Sequence, residues 1–320
     1  MKLLVTGGAG FIGSHFVDYI LDKYPRYEVV NLDALTYAGS LDNLKNVMAN
    51  PRHKFVHGRI EDGKLVDSIV LGVDTIINFA AESHVDRSIS EPEAFIRTNV
   101  VGTQVLLDAA ERHKIKLFYQ VSTDEVYGSS ELDSEERFTE GSLLRPSSPY
   151  AASKTAADLL VLAYSRTYRL PVVISRCSNN YGSRQHREKF LPTIILNALQ
   201  NKPIPIYGDG CYMRDWLHVR DHCHAIDSVM HRGREGQVYN IAACNEWLNI
   251  DLVRELLGML GKPDNLIEFV GDRPGHDKRY AIDATKIQTE LKWSPEVSWE
   301  QGLRDLIEWY SREGLKRDEQ

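Results

Sequence analysis

The segment TGGAGFIG (6–13) decides the fold of this 320-residue chain. It follows the apolar run KLLVT (2–6) and opens the amphipathic stretch FIGSHFVDYILDKY (11–24). An apolar run of strand length, a glycine-rich turn and an amphipathic stretch predict a strand, a tight turn and a helix in succession. This order is the structural context in which a glycine-rich turn binds a dinucleotide.

Three glycines of this turn have the spacing that a pyrophosphate requires. Gly7, Gly10 and Gly13 allow, in turn, a tight bend, close approach of the backbone to the phosphates, and close packing of helix on strand. The helix N-terminus then directs free N–H groups at the phosphates. Asp33 ends the second predicted strand, where a carboxylate accepts hydrogen bonds from the ribose hydroxyls and repels a 2′-phosphate. The turn is therefore predicted to bind NAD rather than NADP.

The first half of the chain alternates apolar and amphipathic stretches. Strands are predicted at 2–6, 28–32, 54–58, 74–79, 116–122 and 172–176, and helices at 11–24, 95–113 and 150–168. Nearly continuous apolar strands separated by helices are typical of a parallel sheet that is covered on both faces. We therefore predict an α/β fold with a Rossmann-type doubly wound parallel sheet.

The composition of the chain changes after Arg176. Residues 178–220 are rich in Asn, Gly, Pro, Arg and aromatic residues, and a pattern of helix and strand returns at about 221–241. We expect an NAD-binding Rossmann domain over residues 1–178, to which the chain returns at about 221–241. A smaller C-terminal α/β domain over residues 179–320 is expected to bind the substrate.

Composition and charge disfavour several classes of protein. The net charge of -7 gives no electrostatic reason to expect nucleic acid or an anionic membrane as a partner. No apolar run approaches membrane-spanning length and no signal peptide precedes the first strand, so a cytoplasmic location is predicted. Four cysteines lack the spacing of a metal site, so we expect reduced thiols and no bound metal. They are Cys177, Cys211, Cys223 and Cys244.

Tyr150 and Lys154 begin the helix predicted at 150–168, and their spacing of four residues places them on one helix face. A phenol with an ordinary pKa of about 10 is a poor base at neutral pH. The neighbouring ammonium of Lys154 and the positive nicotinamide ring favour the phenolate. Tyr150 is therefore predicted to take an alcohol proton during hydride transfer.

A second chemical feature lies after the fifth strand, in VSTDEVYG (121–128), at the sheet edge where open α/β folds bind ligands. Thr123, Asp124 and Glu125 follow one another there. Two neighbouring carboxyls in one pocket can differ in protonation, so that one serves as acid and the other as base. By themselves, the two carboxyls fit an acid–base pair or a solvated acidic turn equally well.

Further segments complete a pattern that runs nearly from end to end of the chain. They are AAESHVDRSI (80–89), SPYAASK (148–154), CSNNYG (177–182), EKFLP (188–192), YGDG with RDWLHV (207–219) and GDRPGHDKRYAID (271–283). With the glycine turn and the carboxyl pair, they resemble the dTDP-glucose 4,6-dehydratases of the extended short-chain dehydrogenase/reductase family. The resemblance implies tightly held NAD and a homodimer formed partly by the helices at about 95–113 and 150–168. It also implies a lyase that converts dTDP-glucose to dTDP-4-keto-6-deoxyglucose and water.

The resemblance further implies an internal redox cycle with assigned roles. Tyr150 takes the C4 hydroxyl proton while the C4 hydride passes to NAD, Thr123 holds the oxygen, and Lys154 bonds the nicotinamide ribose. Glu125 then removes the C5 proton, which the ketone has made acidic, and Asp124 protonates the departing C6 hydroxyl. The hydride returns to C6 and Glu125 reprotonates C5.

Binding residues are likewise implied by the resemblance. The cofactor set is Gly7, Gly10, Phe11, Ile12, Gly13, Asp33, Leu35, Thr36, Ile60, Ala80, Thr98, Tyr150 and Lys154. The substrate set is Glu82, Ser83, Asn179, Lys189, Phe190, Pro205, Tyr207, Arg214, Asn249, Arg273, His276 and Tyr280. Arg214 and Arg273 supply permanently charged forks for the phosphates. Tyr207 is placed to stack on the base, and Glu82 either reaches the glucose hydroxyls or pairs with Arg87.

Four positions depart from the pattern of the resembled family. Arg59 stands where an Asp usually meets the adenine, Ser183 and Arg187 stand where Pro is usual, and Phe190 stands where Leu is usual. Arg59 has no hydrogen-bond acceptor for the adenine amino group, although its guanidinium can stack on the ring. The base and the sugar therefore stay open, and a UDP-sugar 4,6-dehydratase is an alternative.

Two other functions are less consistent with the sequence. A nucleotide-sugar 4-epimerase or decarboxylase is disfavoured, because epimerases of this superfamily usually need only a small hydroxyl residue beside the tyrosine, whereas this chain adds Asp124 and Glu125. A regulatory protein that binds NAD without turnover would be expected to have lost Tyr150, Lys154 or the carboxyl pair, and all are present. We therefore predict an enzyme.

Overall fold

The computed structural model describes residues 1–314. In chain order the strands are β1 (Lys2–Thr6), β2 (Glu28–Asp33), β3 (His53–His57), β4 (Thr75–Asn78), β5 (Leu117–Thr123), β6 (Val172–Cys177), β7 (Asn179–Tyr181), β8 (Ile204–Tyr207), β9 (Met213–His218), β10 (Gln237–Ile241), β11 (Glu246–Leu248) and β12 (Ile267–Val270). The α-helices are α1 (Phe11–Lys23), α2 (Gly63–Val70), α3 (Val85–Ser90), α4 (Pro92–Phe95), α5 (Thr103–Arg112), α6 (Pro149–Tyr168), α7 (Phe190–Leu199), α8 (Val219–Arg232), α9 (Asn249–Leu260), α10 (Thr285–Leu291) and α11 (Trp299–Trp309). None of these helices has both the length and the apolar character that a membrane span requires.

A seven-stranded parallel sheet forms the centre of the fold, in the strand order β10-β6-β5-β4-β1-β2-β3. Side chains of β1 alternate between its two faces, as the pleat of a strand requires. Leu3 and Val5 pack into a core that includes Phe16 of α1, whereas Leu4 packs into a second core that includes Leu106 of α5. Because both faces of the sheet are covered, the predicted Rossmann-type doubly wound fold is confirmed.

The order of the sheet reverses between β1 and β4. From β1 the chain continues outward to β2 and β3 on one side, whereas β4, β5 and β6 follow on the other. Such a reversal leaves a crevice at the carboxyl ends of the strands, where α/β sheets bind their ligands. The glycine turn after β1, Asp33 at the end of β2 and Thr123 at the end of β5 all lie at this edge.

The C-terminal part adds two small sheets, β11-β9-β7 and β12-β8. A third core joins α7, α9 and α11 through side chains that include Leu191, Leu252 and Leu303. Within this part, β10 returns to the main sheet and pairs in parallel with β6. The division into 1–178 and 179–320 stays a prediction, and residues 315–320 of the second unit lie outside the described residues.

The helix predicted over 95–113 is present as an unbroken helical run to Arg112, but it is not α-helical throughout. Between α4 and α5 the helix widens into a π-helical segment, Ile96–Gly102. Within it, Asn99 donates its amide to the backbone oxygen of Glu82 at 3.0 Å and to the hydroxyl of Ser153 at 2.8 Å. A π-segment of this kind is often found at functional sites. Here it ties the segment after β4 to the helix that carries Tyr150.

A buried ion pair supports the main sheet behind the edge formed by the carboxyl ends of its strands. Arg176 on β6 and Asp158 on α6 approach to 2.9 Å, and their side chains are 3% and 0% exposed. The guanidinium of Arg176 also donates to the hydroxyl of Tyr127, which in turn donates to Asn240 on β10. The network therefore connects α6, β6 and β10.

Asp158→Ala is expected to lower the free energy of unfolding by about 3–5 kcal/mol, because it leaves the Arg176 charge buried and unpaired. The matched control is Glu300→Ala, which breaks an exposed ion pair with Arg304 on α11. The control should lose at most about 0.5 kcal/mol. Urea unfolding of both variants measures the difference. Equal losses would contradict a stabilising role for the buried pair.

Candidate active site

A cavity of about 570 Å³ opens at the carboxyl ends of the strands. Its wall combines the glycine turn, the ends of β2 and β5, the start of α6 and segments of the C-terminal part. It brings together every residue predicted to act in catalysis or substrate binding, and every predicted cofactor residue except Leu35. The predicted cofactor and substrate residues therefore share one cavity.

The glycine turn has the close backbone approach that the sequence predicts. Gly7 has a φ of +70°, and a Cβ placed there would lie 2.7 Å from the backbone nitrogen of Ala80. A Cβ on Gly13 would lie 2.3 Å from the carbonyl oxygen of Gly7. Gly10 precedes α1 and has no side chain to cap it, so the first N–H groups of the helix are open to an anion. These residues fit the pyrophosphate of NAD.

Asp33 is held at the cavity wall by two backbone donors. The N–H groups of Ala9 and Leu35 each donate to its carboxylate at 2.8 Å. Burial raises the pKa of Asp33, whereas these hydrogen bonds oppose the rise. Leu35 is the predicted cofactor residue that does not line the cavity: its side chain packs against the core, and its N–H donates to Asp33. Its backbone has a positive φ of 48°.

The catalytic candidates meet where β5 ends and α6 begins. The hydroxyl of Thr123 accepts a hydrogen bond from the N–H of Glu125 at 3.3 Å, and the Thr123 side chain lies near enough to Tyr150 to oppose the rise of its pKa. Ser148 caps α6 and Pro149 occupies its first turn, which fixes Tyr150 at the helix start. One turn further on, the ammonium of Lys154 donates to the carbonyl of Val121 at 2.7 Å.

The two neighbouring carboxyls differ in their electrostatic surroundings. Burial and the nearby charge of Glu125 raise the pKa of Asp124 well above its usual value. Burial also raises the pKa of Glu125, but three cationic side chains oppose that rise. They are Arg273, Arg214 and Lys189. Asp124 is therefore held as the acid, and Glu125 is the member of the pair that ionises more readily.

The carboxyl pair also acts on Tyr150. Burial and the nearby charges of Glu125, Cys177 and Asp124 raise the pKa of the Tyr150 phenol well above its usual value. Burial likewise lowers the pKa of the Lys154 ammonium. The expectation that Lys154 favours the phenolate therefore left out the larger effect of burial and of the two carboxyls. This environment holds the Tyr150 phenol protonated unless a positive charge, such as the nicotinamide ring of bound NAD, favours the phenolate.

The two predicted phosphate-binding arginines are placed differently. The guanidinium of Arg214 lies 4.3 Å from the ring centroid of Tyr280 and donates to the backbone oxygens of Met213 and Asp277. Part of the Arg214 guanidinium, which is predicted to bind phosphate, therefore forms hydrogen bonds with the backbone instead. Arg273 faces Asp86, with 3.3 Å between its Nη1 and a carboxylate oxygen.

The two alternatives for Glu82 are separated by the position of Arg87. Arg87 forms its ion pair with Glu188 at 3.1 Å. Glu82 lines the cavity, and its backbone N–H donates a hydrogen bond to the side-chain oxygen of Asn99 at 2.9 Å. This placement favours a Glu82 carboxylate that faces a ligand rather than one that serves as the partner of Arg87.

Several buried polar atoms in the cavity wall have no hydrogen-bond partner within residues 1–314. They include Asp124 Oδ2, Asn179 Oδ1, Asn249 Oδ1 and Arg273 Nε. Because buried polar groups are normally hydrogen-bonded, these atoms are available to a polar ligand. Phe190, one of the four departures, lies nearby and stacks on Trp216 with 6.1 Å between ring centroids.

Other cavity residues were not found from the sequence. Asp86, Glu188 and Trp216 line the wall although none belongs to the predicted sets. Asp86 and Glu188 lie inside the segments 80–89 and 188–192, which carry the family resemblance and contain predicted substrate residues, so their charge is the signal in the sequence that could identify them. Among the described residues, no group of three or more His, Cys, Asp or Glu side chains could hold a metal ion.

The fold and the site define an enzyme that uses NAD on a nucleotide sugar. A family model described as GDP-mannose 4,6 dehydratase matches residues 4–306. The low-salt glycan biosynthesis protein Agl12 of Haloferax volcanii is 51% identical over 97% of this chain and 98% of its own length. A dTDP-glucose 4,6-dehydratase of an Actinoplanes species is 48% identical over 97% of this chain and 98% of its own length.

Solved structures agree with these relatives. The crystal structure of DesIV, a dTDP-glucose 4,6-dehydratase from Streptomyces venezuelae with NAD and dTDP bound, superposes with a TM-score of 0.96. It is 49% identical and covers 98% of both chains. The chain belongs to the dTDP-glucose 4,6-dehydratase family, so the resemblance drawn from its motifs is confirmed.

Asp124→Asn is expected to stabilise the protein at neutral and alkaline pH. Below an unfolded-state pKa of about 3.9, the wild-type carboxyl is protonated in both states, so its burial costs little. As the pH rises towards the raised folded-state pKa, wild type loses stability that the neutral Asn retains. The free energy of unfolding of the variant should therefore exceed that of wild type at about pH 8 and converge with it at about pH 3.

Urea unfolding across this pH range measures the effect. Glu300→Gln, an exposed carboxyl on α11, is the control and should follow wild type throughout. A difference between Asp124→Asn and wild type that does not change with pH would contradict the buried, protonated carboxyl.

Proposed function

We propose that this protein is a lyase that converts dTDP-glucose to dTDP-4-keto-6-deoxyglucose and water. The observation that carries the proposal is the pair Asp124 and Glu125, which is buried beside Tyr150 and divided into an acid and a more readily ionised carboxyl. NAD, when bound, takes hydride from C4 of the sugar and gives it back at C6. The chain's own residues move the protons.

Tyr150 is placed to take the proton of the C4 hydroxyl. Thr123, whose side chain lies close to Tyr150, is placed to hold the same oxygen. Loss of this proton together with the C4 hydrogen leaves a ketone at C4. The ketone acidifies the neighbouring C5 proton, so a carboxylate becomes a sufficient base for the next step.

The elimination uses both carboxyls. Glu125 takes the C5 proton while Asp124 gives its proton to the C6 hydroxyl, so that the C6–O bond breaks and water leaves. When C6 is reduced, Glu125 returns its proton to C5. Asp124 suits the acid role because burial keeps it protonated at a pH where an exposed Asp is ionised.

The proton balance identifies one more requirement. After one cycle Tyr150 holds an extra proton and Asp124 lacks one, so a proton must pass between them before the next turnover. The hydroxyl of Thr123 donates to Asp124 at 3.3 Å, and the Thr123 side chain also lies close to the Tyr150 phenol. Thr123 therefore lies on the short path by which the site is reset.

The binding roles follow the predicted sets, with Leu35 acting through its backbone only. We propose that Asp33 and Lys154 bind the riboses of NAD. On the substrate side, we propose that Arg273 binds a phosphate through its free Nε and that Tyr207 stacks on the base. UDP-glucose stays the alternative substrate, because Arg59, Ser183, Arg187 and Phe190 leave the base undecided.

The homodimer and the cytoplasmic location also stay predictions. Apolar side chains support the dimer, because Ile96, Val101 and Leu159 are 49%, 43% and 54% exposed on neighbouring helical segments. Exposed apolar patches of this kind often mark interaction sites.

Incubation with dTDP-glucose is expected to produce a 4-keto sugar that absorbs light in alkali, with loss of water confirmed by mass spectrometry. UDP-glucose is tested in parallel at the same concentrations, and kcat/KM compares the two bases. No alkali absorbance with either substrate would overturn the dehydratase assignment. An epimerised sugar of unchanged mass would instead favour the 4-epimerase.

The two carboxyls can be separated by hydrogen exchange in D2O. Glu125→Gln is expected to reduce NAD when substrate is added but to retain the C5 hydrogen, because its base is missing. Asp124→Asn is expected to exchange the C5 hydrogen for deuterium but to release little water, because only its acid is missing. Each variant should lose about 10²–10⁴-fold in turnover. Rapid C5 exchange by Glu125→Gln would contradict its role as the base.

A further inference from the structure

Two successive residues, Asp86 and Arg87, hold different parts of the cavity wall. They begin α3, in the segment 83–87 that follows β4. Neither residue was assigned to cofactor or substrate, yet each contacts residues that are distant in the chain. Their partners lie in different segments of the chain.

Arg87 joins the two segments beside the cofactor half. Its guanidinium lies 3.9 Å from the ring centroid of Tyr37, which follows the predicted cofactor residue Thr36. On its other side, Arg87 pairs with Glu188 at 3.1 Å. The ring of His186 completes the contact, edge-on to Tyr37 at 5.4 Å.

These contacts join two segments that both line the cavity. Thr36, His186 and Glu188 are lining residues, whereas Tyr37 and Arg87 are not among them. The ring contact and the ion pair therefore form a bridge between the segment of Thr36 and the segment of Glu188. If a bound dinucleotide passes between these two segments, its release requires the bridge to open.

Asp86 makes the corresponding connection in the substrate half. One carboxylate oxygen accepts from the hydroxyl of Tyr207 at 3.1 Å, and the other faces Nη1 of Arg273 at 3.3 Å. Tyr207 ends β8 and Arg273 follows β12, so one carboxylate fixes side chains from two strands of the C-terminal part. The Nε of Arg273 stays without a partner in the described part of the chain.

We propose that Asp86 and Arg87 close the cavity at two separate points: Arg87 retains the dinucleotide, and Asp86 positions Tyr207 and Arg273 for the nucleotide sugar. Both are positioning residues, because each acts through other side chains. Retention suits the reaction, since the hydride taken from C4 must return to the same sugar. The Asp86 half rests on the proposed substrate roles of Tyr207 and Arg273.

The proposal predicts that Arg87→Met changes mainly the release of NAD and that Asp86→Asn changes mainly the binding of dTDP. NAD release from the holoenzyme after rapid desalting is measured by its absorbance, and dTDP binding to the holoenzyme is measured by calorimetry. Arg87→Met should release NAD about tenfold faster, because it loses both the ring contact and the ion pair, and should change dTDP affinity less than about twofold. Asp86→Asn should weaken dTDP binding about fivefold and leave NAD release within about twofold of wild type.

Further variants test the physical cause. Tyr37→Leu removes the other side of the ring contact and should also speed NAD release, whereas the surface variant Arg304→Met should not. Asp86→Glu keeps the charge and should restore part of the dTDP affinity that Asp86→Asn loses. Thermal unfolding of each variant checks that the fold is retained.

The outcomes separate this inference from the proposed function. If Arg273→Gln binds dTDP as well as wild type does, the proposed substrate site is wrong. If Arg273→Gln weakens dTDP binding and Asp86→Asn does not, only the role of Asp86 is overturned. If Arg87→Met and Asp86→Asn impair both ligands equally, segment 83–87 is a common scaffold and the two-point closure is wrong.

Discussion

The burial of Asp124 and Glu125 beside Tyr150 is the constraint on which the rest of the site depends. Asp124, Glu125 and Tyr150 each become negatively charged when they lose a proton, and all three are buried close together. Burial and their mutual repulsion prevent all three from being ionised at the same time. The order in which they ionise is set by cations of the C-terminal part, Arg273 and Lys189 among them. That part of the chain therefore has an electrostatic role in the chemistry as well as a role in binding.

Such a corner opposes folding, because a buried carboxyl has no solvent to stabilise its charge. The structure offsets this cost close to the site. Asp158 and Arg176 pair behind Lys154, and the network continues through Tyr127 to Asn240. Because Asn240 lies on β10, the return of the chain to the main sheet supports the helix that carries Tyr150. The buried carboxyls of the site and the hydrogen-bonded network that supports them thus lie close together at the same sheet.

The fold could be predicted because its signals are local. Apolar runs and the glycine spacing are read from neighbouring residues, and the strands lie within a few residues of their predicted positions. The site required more. Leu35 packs its side chain against the core rather than lining the cavity, and Arg214 turns to carbonyls more than sixty residues away. Likewise, the pKa of Tyr150 depends on burial, which no spacing in the sequence reveals.

Chemistry and recognition are separated within the cavity, which explains why one could be argued from the motifs and the other could not. The reacting groups all belong to the end of β5 and the start of α6, where this chain keeps its family pattern. The departures lie elsewhere: Arg59 is 59% exposed beside Glu61, the backbone of Ser183 contacts His15, and Phe190 stacks on Trp216. Each can change what the wall accepts without moving a reacting group. We therefore expect the segment after β5 to determine the dehydration, and side chains that take no part in it to determine the choice of base.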